Sequence, residues 1–367
     1  MKKQGLISVH SISGLFIGVF ILLLSLSGTL LVFRDGLDSF QKPMLLPNKV
    51  PQKVLTIDSC YRLVQQKYPH AVISNCAVAQ NEHEVFSFTV YDSSYKNGTK
   101  ALQLFLHPQT GAILKSRGGS EDIQHNFMSW LSAFHSSFHA GKTGEWLLGF
   151  FAIVFLLSII TGIILYRKNI IAVLFFKRAA WKKNNLHQLI GTWALLFNLM
   201  IGVTGFWMQR YVFKKEFYQS YSWVNTIKPS PNLFFNFDSV YNSLQKQHPD
   251  FTGYVIYFAQ STKGKTAIYG SNKTNGYIHS KKFADVIALD STGAIAQTRF
   301  INEISTADRY DIINSQLHMA KYGGTGIKII YGLFGLSSAM LSITGFILWL
   351  KRRRKISRKD EKTGKYL

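Results

Sequence analysis

Residues 6–33 read LISVHSISGLFIGVFILLLSLSGTLLVF, a stretch with no Asp, Glu, Lys or Arg and one histidine, His10. About 20 residues of helix cross a hydrocarbon layer roughly 30 Å thick, so this run specifies a membrane span. Three further runs repeat the pattern at 145–166, 186–208 and 327–350, and Glu145, at the edge of the second, is the only acidic residue among them. Lys2 and Lys3 before the first run also describe a secretory signal peptide. No small-residue cleavage site follows and the run exceeds a typical signal core, so the reading is a retained span.

Polar sequence separates the spans. The chain is 47% hydrophobic, 14% aromatic and only 17% charged, with a mean hydropathy of +0.06. Two long segments, 34–144 and 209–326, alternate with a short loop, 167–185, and a tail, 351–367. The loop carries Arg167, Lys168, Lys177, Arg178, Lys182 and Lys183 without an acid, and the tail opens Lys351-Arg352-Arg353-Arg354-Lys355. The positive-inside rule makes both cytoplasmic, together with the N-terminus, and the long segments extracytoplasmic. A multi-pass membrane protein with both termini cytoplasmic is expected. Much of the net charge of +23 is then topological. No nucleic-acid motif accompanies it, and a lipid bilayer is the expected surrounding. Cys60 and Cys76 share the first outer segment, where an oxidising compartment allows a disulfide. Nothing marks either as catalytic.

The chain repeats itself. His10-Ser-Ile-Ser-Gly14 with Ser27-Gly28 matches His187-Gln-Leu-Ile-Gly191 with Thr204-Gly205 at identical spacing. His135, Gly141, Gly149 and Thr161-Gly162 match His318, Gly324, Gly332 and Thr344-Gly345 at a constant offset. The outer segments also correspond, each with an amphipathic helix near 57–67 or 238–247, β-rich sequence, and a turn at Thr110-Gly111 or Thr292-Gly293. The expected architecture is an all-α four-helix membrane bundle with two extracytoplasmic α+β modules and an internal two-fold repeat.

Histidines in spans are functional candidates. His10 and His187 begin spans at the inner face; His135 and His318 precede spans at the outer face. Gly14 and Gly28, like Gly191 and Gly205, fall near the histidine's stripe of their own helix and would leave room for a flat group, or simply pack helices closely. Two histidines per face, from different helices, suit bis-imidazole ligation of haem b iron, two haems in all, whereas zinc would require further ligands. His139, four residues after His135, is expected on the same helical face as a supporting or alternative ligand. Its counterpart is Tyr322. Asn198 is the clearest polar residue otherwise within a span, which leaves a transporter reading little support.

On these motifs, with Gly323-Gly324 and the two Thr-Gly turns of the outer segments, the chain resembles the PepSY-associated membrane-helix family, which includes iron-regulated membrane proteins and inner-membrane ferrisiderophore reductases. The resemblance implies PepSY-like outer modules and a haem protein that passes electrons outward to a periplasmic ferric chelate, a siderophore complex, for iron acquisition. His10, His187, His135 and His318 would be the haem ligands. Electrons would come from a separate donor, a quinol or a cytoplasmic reductase. The rival reading is a non-catalytic PepSY sensor or regulator of a peptidase or ligand, with the spans as anchors.

Overall fold

The computed structural model describes residues 3–43, 45, 54–80, 84–92, 100–177, 185–219, 235–260, 264–272, 280 and 282–362. Lys2, Arg178, Lys182, Lys183 and Trp223 lie outside them. Among the described residues three helices are long and apolar enough to cross a membrane: α1 (Lys3–Val32), α5 (Gly141–Leu174) and the Gly324–Lys355 part of α11 (Gly324–Lys362). The third apolar run is bent. It forms α6 (Leu186–Trp193) and α7 (Leu195–Gln209), with the direction turning by 65° between Leu186–Trp193 and Leu195–Phe213. No proline causes this. At the break Ala194 leaves helical geometry, at φ −90° and ψ 5°, with its N–H shared between the Ile190 and Thr192 carbonyls. A capping box of Asn185 and Gln188 starts α6.

The two polar segments build one continuous sheet. Strands β1 (Ala71–Ala77), β2 (Phe86–Asp92), β3 (Lys100–Leu106) and β4 (Ile113–Gly118) come from the first, and β5 (Phe251–Tyr257), β6 (Thr266–Asn272), β7 (Asp285–Leu289) and β8 (Ile295–Arg299) from the second. All are antiparallel in the order β4-β3-β2-β1-β5-β6-β7-β8, which reads the same from either edge. The seam pairs Cys76 with Ile256. Joining the halves there removes two exposed edges from the middle of the sheet.

One face of the sheet carries α3 (Ile57–Lys67) and α9 (Phe237–Gln247), started by side-chain caps from Thr56 and Asn236. Their apolar faces meet Phe86, Phe88, Phe251, Ile256 and Ile268 in one core. Each such side chain is worth about 1.5–3 kcal/mol when fully buried. Cys60 and Cys76 are both free thiols in this core. Burial pushes the Cys60 thiol up to about 12, so neither an ionised nor a reactive thiol is expected there. The helices also cap one another. Asp238 accepts from the backbone N–H groups of Ile57 and Asp58, and Asp58 from those of Phe237 and Asp238, at 2.9–3.2 Å.

Three short helices tie sheet to membrane helices: α2 (Arg34–Ser39) after α1, α4 (Phe127–Ser137) after β4, and α10 (Thr306–His318) after β8. Arg117 of β4 reaches α2 with a buried bidentate pair to Asp38 at 2.8 and 3.1 Å. In the second half Arg210, at the end of α7, clamps Asp311 of α10, both oxygens at 2.9 Å, in a half-buried position where Asp311 also accepts from the Trp207 indole N–H. The remaining short helix, α8 (Lys215–Gln219), follows the α7 exit turn. Asn198 is buried within the bundle and accepts hydrogen bonds from Ser337 and Ser338 of α11. It fastens α7 to α11.

Candidate functional site

His10 opens towards α5 and His187 towards α11, while His135 on α4 meets α1 and His318 on α10 meets α7. Each imidazole is received by a hydroxyl followed by glycine on the opposing helix. Nδ1 of His10 lies 3.1 Å from Thr161 Oγ1, that of His187 3.0 Å from Thr344 Oγ1, that of His135 2.9 Å from Ser27 Oγ, and that of His318 3.1 Å from Thr204 Oγ1. These hydroxyls have already spent their protons. Each donates to the carbonyl four residues earlier on its own helix, Leu157, Met340, Leu23 or Met200, at 2.7–2.8 Å. Toward the imidazole the hydroxyl can therefore only accept, so Nδ1 carries the hydrogen in all four histidines. His10 Nδ1 also reaches the Ser158 carbonyl at 3.0 Å, an acceptor with no alternative role. The lone pair of every ring is left on Nε2.

The glycine after each hydroxyl makes room for the ring. A Cβ on Gly28 would lie 2.9 Å from Cε1 of His135, and one on Gly205 3.1 Å from Cε1 of His318. At Gly162 and Gly345 the same distance, to His10 and His187, is 3.3 Å. This differs from the sequence expectation in a specific way. Gly28 and Gly205 clear space for an imidazole from another helix, and Gly162 and Gly345 do the same at the far end. A Cβ at Gly14 or Gly191 would meet only ordinary contacts, 3.7 Å to Ser158 Oγ and 3.6 Å to a Leu341 methyl.

The four rings gather in two pairs. His10 and His187 have ring centroids 6.2 Å apart with planes at 76°, and His135 and His318 are 6.4 Å apart at 43°. The first pair lies at the end of the bundle away from the sheet, the second at the sheet end. His10 and Gly28 on α1 set the two levels roughly 27 Å apart at 1.5 Å per residue. An ion bound between two Nε2 atoms at about 2 Å each holds imidazole centroids about 6 Å apart, which both pairs match. Among the described residues no group of three His, Cys, Asp or Glu side chains gathers at either level. A donor set of two opposed neutral imidazoles suits an ion whose remaining ligands lie in a plane between them, as in a haem.

His139 sits elsewhere than the spacing suggests. The helix α4 stops at Ser137, and Phe138 and His139 turn left-handed at φ 50° and 56°, which takes His139 off the face that carries His135. Its ring packs on Trp130 at 5.0 Å and beside Phe134 at 6.4 Å. The second half turns at a left-handed joint of its own, at Ala320, Gly323 and Gly324, of which only Gly324 matches a left-handed position of the first half, Gly141. There Tyr322, in the place of His139, bonds Tyr331, whose hydroxyl reaches the Leu317 carbonyl at 2.7 Å beside His318.

The receiving Ser27, Thr161, Thr204 and Thr344 were within reach of sequence reasoning, because each stands one residue before a glycine of the repeat. Their partners were hidden. A hydroxyl–glycine pair announces close helix packing, and only the fold shows an imidazole entering it. No curated protein matches the chain. The family model described as the PepSY-associated TM region matches residues 7–352, and the chain belongs to that family of membrane proteins.

Proposed function

We propose that the protein is a di-haem b-type electron-transfer protein of a bacterial inner membrane that reduces a periplasmic ferric chelate. In this reading α1, α5, the bent α6–α7 pair and α11 form a four-span bundle with an internal two-fold repeat. The basic loop and tail put both termini in the cytoplasm. His10 and His187 then hold an inner haem, and His135 and His318 an outer one. The observation that supports this reading best is the set of four imidazoles clamped at Nδ1 and gathered in two pairs, with ring centroids 6.2 and 6.4 Å apart.

Bound haem would supply a one-electron Fe(III)/Fe(II) couple at each level, and one electron delivered outside converts a ferric chelate to the more weakly held ferrous form. The protein's own part is to fix the tautomer and angle of each ring, since an oxygen that accepts from the far ring nitrogen raises ligand basicity and orients the ring. The apolar helix faces exclude water around the two levels. A quinol or a cytoplasmic reductase is the donor class the reading requires.

The test is optical. Purified protein should show a Soret and an α-band that sharpen on dithionite reduction, with two haems per chain. Protein that neither carries haem nor binds it on addition sinks the reading and favours the sensor or regulator, whose histidines would tolerate substitution. His318→Ala should remove the outer haem and spare the inner one; losing both would refute the pairing.

A further inference from the structure

The sheet has a second face, opposite α3 and α9, and it is turned to the bundle. Two ties establish this. At the β4 edge Arg117 and Lys115 hold α2, through Asp38 and the Gln41 carbonyl. Toward the other edge the Lys321 ammonium, three residues beyond His318, sits 4.8 Å over the ring of Phe283 beside β7. Between these ties the face is lined with tyrosines. Ile256 and Ile268 belong to the core, so Tyr257 and Tyr269, next to them in their strands, point the other way, as does Tyr91 after Val90. Tyr257 and Tyr269 are 5.4 Å apart, Tyr269 and Phe283 6.3 Å, and the Tyr91 phenol is close enough to Tyr257 to oppose its ionisation. Tyr257 is 42% exposed.

The charge beneath is uneven. Lys321 lies within electrostatic reach of Arg34 and Asp35, and Lys328 stands 3.8 Å from Asp35. Three cations thus surround the Asp35 carboxylate at the Lys321 end of the row, while Glu121 lies within electrostatic reach of Tyr91 at the other end, so the positive excess is local to Lys321. A purely structural layer would balance these charges or bury the rings. A row of aryl faces beside unbalanced cations instead complements a ligand that is both anionic and aromatic.

We infer that Tyr91, Tyr257, Tyr269 and Phe283, with Lys321 and Arg34, form the docking surface for an anionic metal chelate with aryl groups, such as a triscatecholate, in preference to a neutral trihydroxamate. This rests on the proposed ferric-chelate reading for its purpose, because Lys321, which packs on Phe283, follows His318 by three residues. The arrangement selects by charge first and by ring stacking second.

Gallium(III) complexes separate docking from reduction, since gallium is not reduced under the conditions that reduce haem. Quenching of intrinsic fluorescence should show the gallium triscatecholate binding at least about tenfold more tightly than the gallium trihydroxamate. Lys321→Gln should weaken the triscatecholate about tenfold, Lys321→Arg should largely restore it, and Tyr257→Ala, at an exposed position, should weaken it several-fold. Equal affinity for the two complexes, or unchanged affinity in folded Lys321→Gln and Tyr257→Ala proteins, overturns the inference. Haem-replete protein that ignores the triscatecholate sinks the docking surface alone. Colourless protein that binds it with this selectivity sinks the reductase and keeps the surface.

Discussion

The two histidine levels use one device in two settings. At the level away from the sheet, His10 and His187 are themselves part of apolar helices, and the receiving glycines leave 3.3 Å to a hypothetical Cβ. At the sheet end, His135 and His318 ride on short helices that lead in from β4 and β8, and the clearance falls to 2.9 and 3.1 Å. The first level is therefore held by the bundle alone. The second is held jointly by bundle and sheet, so disturbances of the sheet should be felt at one level and not at the other.

The sharpest way to break the comparison is to fill the tighter clearance. Gly28→Val should displace His135 and eliminate the outer haem, seen as a halved haem content with the inner spectrum intact. Gly162→Ala, with more room, should lower inner-haem occupancy only partly. If Gly28→Val leaves two haems in place, the proposed pairing is wrong.

A second contrast separates the anchors of the two halves. Removing the carboxylate in Asp38→Ala leaves Arg117 buried without its partner and should cost about 3–5 kcal/mol. Asp311→Ala, which frees a half-buried Arg210 and the Trp207 indole N–H, should cost less, about 1–2 kcal/mol. Detergent-solubilised melting curves would rank them, and the reverse order would mean that burial does not govern these ties.

A third prediction concerns the clamps. Thr204→Val removes the acceptor for His318 Nδ1 while keeping its shape, and should lower outer-haem affinity about tenfold, whereas Thr204→Ser should stay near wild type. Redox titration should show the outer midpoint moving and the inner one fixed.

The smallest effect is expected from the carboxylate pair between α3 and α9. Burial and the facing Asp238 raise the Asp58 pKa, so the folded protein holds that proton more tightly than the unfolded chain does. Its contribution is therefore present in acid and lost as pH rises from the ordinary carboxylate range through the raised value. Asp58→Asn should flatten that part of the pH–stability profile. An unchanged profile would place the titrating group elsewhere.

How much of this could be read from the chain depends on the length of the pattern. The apolar runs that became α1, α5 and α11 need only composition, and the recurrence of His10 in His187 and of His135 in His318 needs only counting. The bend after Trp193 was not legible, because Ala194, where the helix geometry breaks, leaves the apolar run uninterrupted. His139 was misplaced because a helical face was extended past Ser137, where two non-glycine residues turn left-handed. The sheet's seam between β1 and β5 joins residues about 180 apart, and no local pattern encodes which strand edge meets which.

The hydroxyl clamp has a consequence in proton stoichiometry. A metal site whose imidazoles must first shed a proton loads in a pH-dependent way. Here the Nδ1 hydrogen of each neutral ring is donated to an oxygen that accepts it, which makes Nε2 the bare coordinating nitrogen of that neutral ring before anything arrives. Assembly of the proposed cofactor sites is then proton-neutral. Haem uptake by the empty protein should proceed with the same apparent affinity across the neutral range, and the sites would be ready to fill as soon as the helices close.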